Sequence, residues 1–510
     1  MSGITKLAGQ TLWYGVPNIV GRFLNFGMSL LGFRLYDPSA SSYFTQVYAV
    51  IPFLTILFTY GLETSYFRFA QTHDRRKLYN TLNVSIIIST FLFTLLLFVF
   101  KDGLISFMEM EKHPEFVTWM LMIIFFDTLI AIPMAKLRLE ERPRKYAFIN
   151  FFGIILNIAL VVFFYYVAKP AYESDHRSFL GSFFNPAVGI GYFILANVIA
   201  SAIKLFLLWK EFSVFKFQFD KKLWKEIIFY SYPLLIVGMG GMINEMLSRA
   251  FYQKILHDDP DVETFELGVF GANYRLAILV TIFIQMFKMA AEPFFFSQSK
   301  NEGAQRTYAR VMKFFVIACC FMFLGVALFM DVWKYLIASK HPEYAEGLNI
   351  VPVLTMANIF LGIYYNLSVW YKLTNKNMVG AYVTVAGAVI TIALNFILVP
   401  EFRYTGAAWA TFMCYTFMMV ISYKQGQKHY KIPYPTKKLV TYLVIVMLMY
   451  VVHEVIIRNL DHKAGYYYYI YFGTSLLFVG LFAWLILKVE RRELVNLPVV
   501  GRYVERFIPA

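Results

Sequence analysis

Nine ionisable side chains lie inside apolar stretches that are long enough to cross a lipid bilayer. A charge in hydrocarbon is costly, so such a group usually faces a protein interior or a water-filled cavity and has a function there. Seven of the nine fall in four stretches, near residues 11–35, 42–69, 226–250 and 267–296. The full set is Arg22, Lys204, Arg249, Arg275, Lys288, Glu63, Asp127, Glu245 and Glu292.

Arg22 and Arg275 are the strongest candidates for binding an anion. Neither has an acidic residue within one helical turn, and Asn25 lies one turn after Arg22. A guanidinium group presents a planar fork of donors that fits two phosphate oxygens at once. The sequence therefore predicts a cavity in which Arg22, Arg275 and Asn25 contact an anionic group.

The other basic residues of the later stretches have acidic neighbours. Glu245 and Arg249 are four residues apart with the acid first, which is the favourable order for a pair on one helix. This spacing fits a structural pair or a gate equally well. Lys288 and Glu292 have the same spacing in the opposite order, and they are expected to neutralise each other.

Asp127 and Lys204 lie in two further stretches. Asp127 is in the middle of its stretch without a local partner, which leaves three interpretations: a protonated acid, a hydrogen bond to an Asn such as Asn157, or a site for a coupling ion. Lys204 is near the end of its stretch, so its long side chain is expected to extend to the interface. In the second stretch, Arg68 is placed at the membrane surface and Glu63 deeper.

The elements that carry these residues are predicted to be transmembrane helices. The chain has 510 residues, of which 59% are hydrophobic and 15% charged, and its mean hydropathy is +0.56. These values indicate an all-α polytopic membrane protein with about fourteen spans. The net charge of +15 sits in short loops, so nucleic acid is not an expected partner. All three cysteines lie within apolar runs, which excludes a disulfide framework.

The loop charges predict the orientation. Basic segments such as residues 136–145 and 210–225 follow even-numbered spans, whereas the acidic segment 257–266 follows an odd-numbered one. The positive-inside rule then places both termini in the cytoplasm.

The chain also repeats itself. Residues 138–160 align with residues 372–394 without a gap, and shorter matches occur at the start of each half. We therefore expect two pseudo-symmetric six-helix lobes and two appended helices, with a binding site between the repeats. The predicted divisions are residues 1–210, 211–425 and 426–490, followed by an amphipathic cytoplasmic tail at 491–510.

Motifs of enzymatic chemistry are missing from the sequence. It contains no G-x-S-x-G, P-loop or H-E-x-x-H pattern and no metal-ligand spacing. We expect a transporter and not an enzyme, without a bound cofactor. Transport would then use Na⁺, H⁺, the membrane potential or the gradient of the cargo itself.

Three segments carry a family resemblance. Residues 60–69 (YGLETSYFRF), 290–296 (AAEPFFF) and 394–415 (LNFILVPEFRYTGAAWATFMCY) resemble the polysaccharide-type flippases of the multidrug/oligosaccharidyl-lipid/polysaccharide exporter superfamily. The resemblance implies a two-lobed bundle in a bacterial inner membrane. It also implies an undecaprenyl-diphosphate-linked glycan as cargo, moved from the cytoplasmic to the periplasmic leaflet by alternating access.

The same resemblance assigns roles and leaves alternatives. Arg22, Arg275 and Asn25 would contact the diphosphate, and gating or ion coupling would fall to Glu63, Arg68, Asp127, Glu245, Arg249, Lys288 and Glu292. Membrane lipids, a polysaccharide polymerase and glycosyltransferases would be partners. The alternatives are a lipid II flippase, whose branch differs in the charges of span 2, a cation-coupled multidrug antiporter, and a membrane scaffold without transport activity.

The orientation can be tested by cysteine labelling. A cysteine at position 259 should react with a membrane-impermeant maleimide added to intact cells, because the acidic loop is predicted to be external. A cysteine at position 142 should react only after permeabilisation. The opposite pattern would contradict the predicted orientation.

Overall fold

Helices make up the regular structure throughout the residues that the computed structural model describes, which are 20–140, 142–298, 302–374, 376–461 and 465–495. Within these ranges there is no β-strand. The predicted all-α class is therefore confirmed. The start of the first predicted span and most of the predicted tail lie outside the described residues.

The helices are numbered in chain order, and the first, α1, is described over residues 20–35. The others are α2 Pro38–Thr59, α3 Leu62–Phe69, α4 Arg75–Val99, α5 Lys101–Phe107, α6 Pro114–Leu129, α7 Ala131–Leu139, α8 Pro143–Phe163, α9 Lys169–Ser174, α10 Gly191–Leu207, α11 Trp209–Ser213, α12 Lys221–Ala250, α13 Tyr252–Leu256, α14 Pro260–Gln298, α15 Ala304–Ala327, α16 Met330–Ala338, α17 Ile350–Leu367, α18 Val369–Leu373, α19 Asn377–His429, α20 Thr436–Arg458, α21 Tyr467–Val489 and α22 Arg491–Leu494.

Eleven helices in the described part of the chain are long and apolar enough to cross a membrane, and α10 is a shorter apolar helix. One of the eleven, the helix at 378–429, covers two predicted spans, since Arg403 interrupts it with a φ of 54° and a ψ of −139°. The exact number of fourteen spans stays a prediction.

The second predicted span is broken near one end. Helix α2 ends at Tyr60, which has a φ of 34°, and Gly61 follows with a φ of 76° before α3 begins. A side chain at Gly61 would also lie 3.2 Å from the carbonyl oxygen of Ser231 in α12. Glycine is therefore favoured at this position by its backbone conformation and by the close approach of α12.

The chain forms two compact units. The first comprises residues up to Arg275 together with Leu336–Ile350 and Asn377–Met418, and the second comprises the remainder. The predicted lobe boundaries follow the sequence repeat and stay predictions.

In the first unit, α14 packs directly on α2. A methyl group at Gly268 would lie 1.8 Å from the carbonyl oxygen of Pro38, and one at Gly271 would lie 2.1 Å from the hydroxyl of Thr45. Such distances leave no room for any side chain, so these two glycines allow the two backbones to touch. The contact fixes which residues in the next turn of α14 face α2.

In the second unit, a buried carboxylate joins three helices at one end. Glu490 follows α21 and is 2% exposed. It binds Lys313 of α15, and it accepts hydrogen bonds from Lys438 at 3.0 Å and Tyr442 at 2.6 Å, both in α20. Burial alone would raise the pKa of Glu490, but these donors hold it below its usual value. The resulting stabilisation is present above the usual glutamate pKa and is lost as the pH falls below it.

Removal of this carboxylate should destabilise the fold strongly. The change Glu490→Ala would take from Lys313, which is 4% exposed, its buried acidic partner and leave only the half-exposed Glu493, at a cost of up to ~3–5 kcal/mol. Thermal unfolding of the detergent-solubilised protein measures the loss. Glu454→Ala is the matched control, because Glu454 pairs with Arg458 in an exposed position worth less than about 1 kcal/mol. Equal effects of the two changes would contradict the proposed importance of the Glu490 cluster.

Candidate functional site

The position of Arg275 follows from the close contact between α14 and α2. Arg275 is one helical turn after Gly271, so it faces the same helix. Its guanidinium carbon lies 5.9 Å from the centre of the Phe44 ring in α2. The side chain is partly buried, and it has no hydrogen bond or ion pair within the described residues. Arg275 is therefore a cation without an acidic partner in this part of the structure.

Arg249 of α12 lies beside the same region. Its guanidinium carbon is 3.8 Å from the centre of the Tyr274 ring, and its Nη2 atom donates to the main-chain carbonyl of Glu245 at 3.0 Å. Tyr274 is the residue before Arg275 in α14, so the ring contact places Arg249 beside the turn that carries Arg275. Two cations at this level favour the presence of an anion near them.

A buried polar cluster fixes the rotation of α12 at this level. The side-chain amide of Asn244 donates to the carbonyl of Thr384 at 3.1 Å, and its oxygen accepts from the hydroxyl of Thr391 at 3.1 Å. Tyr415 donates to the main-chain oxygen of Asn244 at 3.3 Å. These contacts with α19 hold the turn that carries Glu245. The sequence analysis missed them because each residue is uncharged and common in helices.

Tyr48 of α2 joins α10 to the aromatic ring beside Arg275. Its hydroxyl accepts a hydrogen bond from Asn197 at 3.1 Å and donates to the carbonyl of Phe193 at 3.4 Å. The centre of its ring lies 4.6 Å from that of Phe44, which is the ring next to Arg275. Tyr48 therefore places a polar side chain near the arginine region.

Asp127 has a partner that the sequence analysis did not predict. The ammonium group of Lys204 in α10 lies 2.9 Å from an Asp127 oxygen. The expected extension of Lys204 to the interface is therefore wrong, and Asn157 is not the partner of Asp127. A methyl group at Gly153 would lie 2.8 Å from the Cδ atom of Lys204. Glycine at this position therefore leaves room for the Lys204 side chain to reach Asp127.

Arg22 and Asn25 are exposed on α1. A methyl group at Gly21 would lie 2.4 Å from Ile154 of α8, so α1 is in close contact with α8 next to Arg22. Like Arg275, Arg22 has no hydrogen bond or ion pair within the described residues. Direct contact of Arg22 with the Arg249 and Arg275 region stays a prediction.

The shallow end of the second predicted span forms a different charged site. Glu63 of α3 pairs with Arg138 at the end of α7, a residue that the sequence analysis assigned only to a basic loop. The guanidinium of Arg68 lies 4.9 Å from the centre of the Tyr230 ring in α12. Two of the predicted gating residues are therefore found on α3.

The remaining predicted residues are in the second unit. The ammonium group of Lys288 lies 4.4 Å from the centre of the Tyr365 ring. The side chain of Glu292 lies outside the described part of the structure, so its expected pairing with Lys288 is not tested.

Comparisons with known proteins give a family match and a fold match. Residues 7–299 match the family described as polysaccharide biosynthesis protein. An inward-closed structure of the lipid II flippase MurJ aligns with a TM-score of 0.70 at 13% identity, covering 93% of this chain and 98% of that one. No curated protein matches the chain in a sequence search.

Two other solved structures have the same fold. An inward-facing multidrug resistance MATE family transporter of the MOP superfamily aligns with a TM-score of 0.63 at 13% identity, over 80% of this chain and 94% of that one. A MOP superfamily transporter from Pyrococcus furiosus, described as having a binding pocket of reverse polarity, aligns with a TM-score of 0.56 at 12% identity, over 82% and 95%. At these identities the likeness shows the fold alone.

The pair of Asp127 and Lys204 can be tested by a double-mutant cycle. Asp127→Asn and Lys204→Met should each lower the thermal stability, and the double variant should recover much of the loss, with a coupling of about 1–3 kcal/mol. The exposed pair Lys169–Glu173 serves as control, where a coupling of about 0.3–0.5 kcal/mol is expected. A double variant no more stable than the worse single variant would contradict the pairing.

Proposed function

Because the chain belongs to the polysaccharide biosynthesis protein family, a flippase family of the MOP superfamily, we propose that it translocates an undecaprenyl-diphosphate-linked oligosaccharide from the cytoplasmic to the periplasmic leaflet. The family predicted from the sequence motifs is confirmed by the match over residues 7–299. The cargo, the direction and the alternating-access mechanism are the proposal. The product would serve O-antigen, capsule or exopolysaccharide synthesis.

The observation that carries the proposal is that two arginines, Arg22 and Arg275, have no acidic partner among the described residues. A diphosphate has about two negative charges, and such charges do not cross hydrocarbon unaided. Guanidinium groups with free donors replace the lost hydration of the phosphate oxygens. Arg249 adds a second cation beside the turn that carries Arg275, which favours anionic cargo there.

The polyprenyl tail and the sugars of the cargo are less costly to move across the bilayer than the diphosphate. The polyprenyl tail is as apolar as the bilayer and can stay in it during the movement, so only the head group needs a polar path. Tyr48 and Asn197 offer a hydroxyl and an amide group for the sugars near the arginine region. The paired Asp127 offers a carboxylate on the neighbouring α6. Coupling to Na⁺, H⁺ or the membrane potential would then set the direction of transport.

A lipid II flippase is the second candidate, because a structure of MurJ has the same fold over 93% of this chain. Lipid II also contains a diphosphate, so the arginines fit both cargoes. An antiporter for cationic drugs is disfavoured by the unpaired arginines. A scaffold without transport activity gives no reason for placing Arg275 in a partly buried position without an acid.

Loss of either arginine should abolish transport without loss of the fold. For Arg22→Ala and Arg275→Ala we expect export of lipid-linked glycan to fall at least about tenfold, since each charged hydrogen bond contributes ~1.5–3 kcal/mol. Arg→Lys variants should recover part of the activity, because an ammonium lacks the two-point contact. Export is measured as the glycan-lipid that accumulates in the inner leaflet.

Arg177→Ala is the matched control, because Arg177 is exposed in a connecting segment of the same unit. This variant should export at the wild-type level. Thermal unfolding confirms that the other variants are folded. Wild-type export by both Arg22→Ala and Arg275→Ala would overturn the proposal. Complementation of a strain depleted of its lipid II flippase separates the two cargo classes.

A further inference from the structure

The ion pair between Glu63 and Arg138 differs from the other charge pairs around it. The Glu63 side chain is 44% exposed and that of Arg138 is 30% exposed, so solutes can reach both groups. The guanidinium carbon of Arg138 lies 5.0 Å from the centre of the Phe67 ring and 5.5 Å from that of Tyr146. The two rings hold the guanidinium while its Nη2 edge binds Glu63.

Two neighbouring cations, Lys145 and Arg142, have a buried carboxylate as partner. Lys145 and Arg142 bind Glu211 at 2.7 and 3.1 Å, and Glu211 is 2% exposed. Because the Glu211 carboxylate is buried, releasing it would leave an uncompensated charge in the interior. Arg138, in contrast, has a carboxylate partner that can move into solvent at little cost. Its Nε atom is also buried without a hydrogen-bond partner.

Helix α3 links the Glu63 carboxylate to α12. The hydroxyl groups of Ser65 and Ser231 are 2.6 Å apart, and Arg68 lies over the Tyr230 ring. Displacement of Glu63 from Arg138 would therefore act directly on the contact between α3 and α12. A change of partner at the Glu63–Arg138 pair can therefore alter the contacts of a second transmembrane helix, α12.

We propose that Arg138 is a phosphate-binding residue for the entering cargo, and that Glu63 occupies its guanidinium fork as a substitute anion when no cargo is present. Carboxylate and phosphate oxygens fit the same fork, so one replaces the other without rebuilding the site. Like-charge repulsion then moves Glu63 away from the bound diphosphate. When the cargo has moved on, Glu63 takes Arg138 again and opposes rebinding. This inference rests on the proposed function and extends it to a second group of residues.

Binding of a soluble diphosphate probe tests the exchange. The full-length protein in detergent is titrated with farnesyl diphosphate, and the dissociation constant is measured by calorimetry. Glu63→Gln should bind about tenfold more tightly and Arg138→Gln about tenfold more weakly, as expected for a charged hydrogen bond worth ~1.5 kcal/mol. The double variant should bind as weakly as Arg138→Gln, because the effect of Glu63 acts through Arg138.

Glu140→Gln is the matched control. Glu140 is a half-exposed carboxylate near the same end that lies 3.7 Å from Lys136, so the variant removes one charge without freeing Arg138. The Glu140→Gln variant should bind farnesyl diphosphate with the wild-type affinity. Equal tightening by Glu140→Gln and Glu63→Gln would show a general charge effect and overturn the inference. Weaker or unchanged binding by Glu63→Gln would overturn it as well, because a merely structural pair gives that result.

Two further measurements separate this inference from the proposed function. The variants should rank in the same order of affinity for inorganic diphosphate as for farnesyl diphosphate. Their affinity for farnesol should equal that of the wild-type protein, because farnesol has no phosphate oxygens. If Arg22→Ala and Arg275→Ala weaken binding while Glu63→Gln has no effect, only the exchange is wrong. If the wild-type protein fails to bind farnesyl diphosphate, both the exchange and the proposed function are wrong.

Discussion

The cost of an uncompensated charge inside a membrane protein is the constraint on which this structure depends. Lys204 crosses to Asp127, and Arg249 is held by a main-chain carbonyl and a tyrosine ring. Against this background, Arg22 and Arg275 stand out because no acid neutralises them in the described structure. These two guanidinium groups are therefore the basis of the proposed anion site.

The positions of these charges are set by packing between helices. Gly268 and Gly271 bring α14 against α2, and Asn244 holds α12 through hydrogen bonds to α19. Small or uncharged residues therefore set the helix packing that determines where the charged side chains lie. A substitution at Gly271 would disturb the position of Arg275 although glycine has no chemistry of its own.

Hydropathy predicted the all-α class and the approximate location of the membrane helices, because the length of an apolar run is a local property of the sequence. Breaks were harder to predict. Gly61 offers a signal for the end of α2, and Pro133 offers one for the division between α6 and α7 at Ile130, because proline cannot donate the helix hydrogen bond to Leu129. Neither signal gives the exact residue at which the helix is interrupted.

For the site, the sequence identified single unusual residues but not their partners. Arg275 and Asp127 could be identified as unusual residues, but the partners of Asp127 and Glu63 are 77 and 75 residues away in sequence. Spacing rules for one helix cannot find such pairs. The useful signal would have been that Asp127 and Lys204 are opposite charges in separate spans, each without a local partner.

The left-handed residues Tyr60 and Gly61 have a mechanical consequence. They interrupt the backbone hydrogen-bond ladder between α2 and α3, so the eight residues of α3 can turn as a short lever while α2 stays intact. Turning α3 would have to break the Ser65–Ser231 hydrogen bond, the Arg68–Tyr230 stacking and the packing of the buried Leu62 and Tyr66. The two polar contacts contribute on the order of 1 kcal/mol each, so the burial of Leu62 and Tyr66 provides most of the resistance. A movement of α3 would therefore not require α2 to bend.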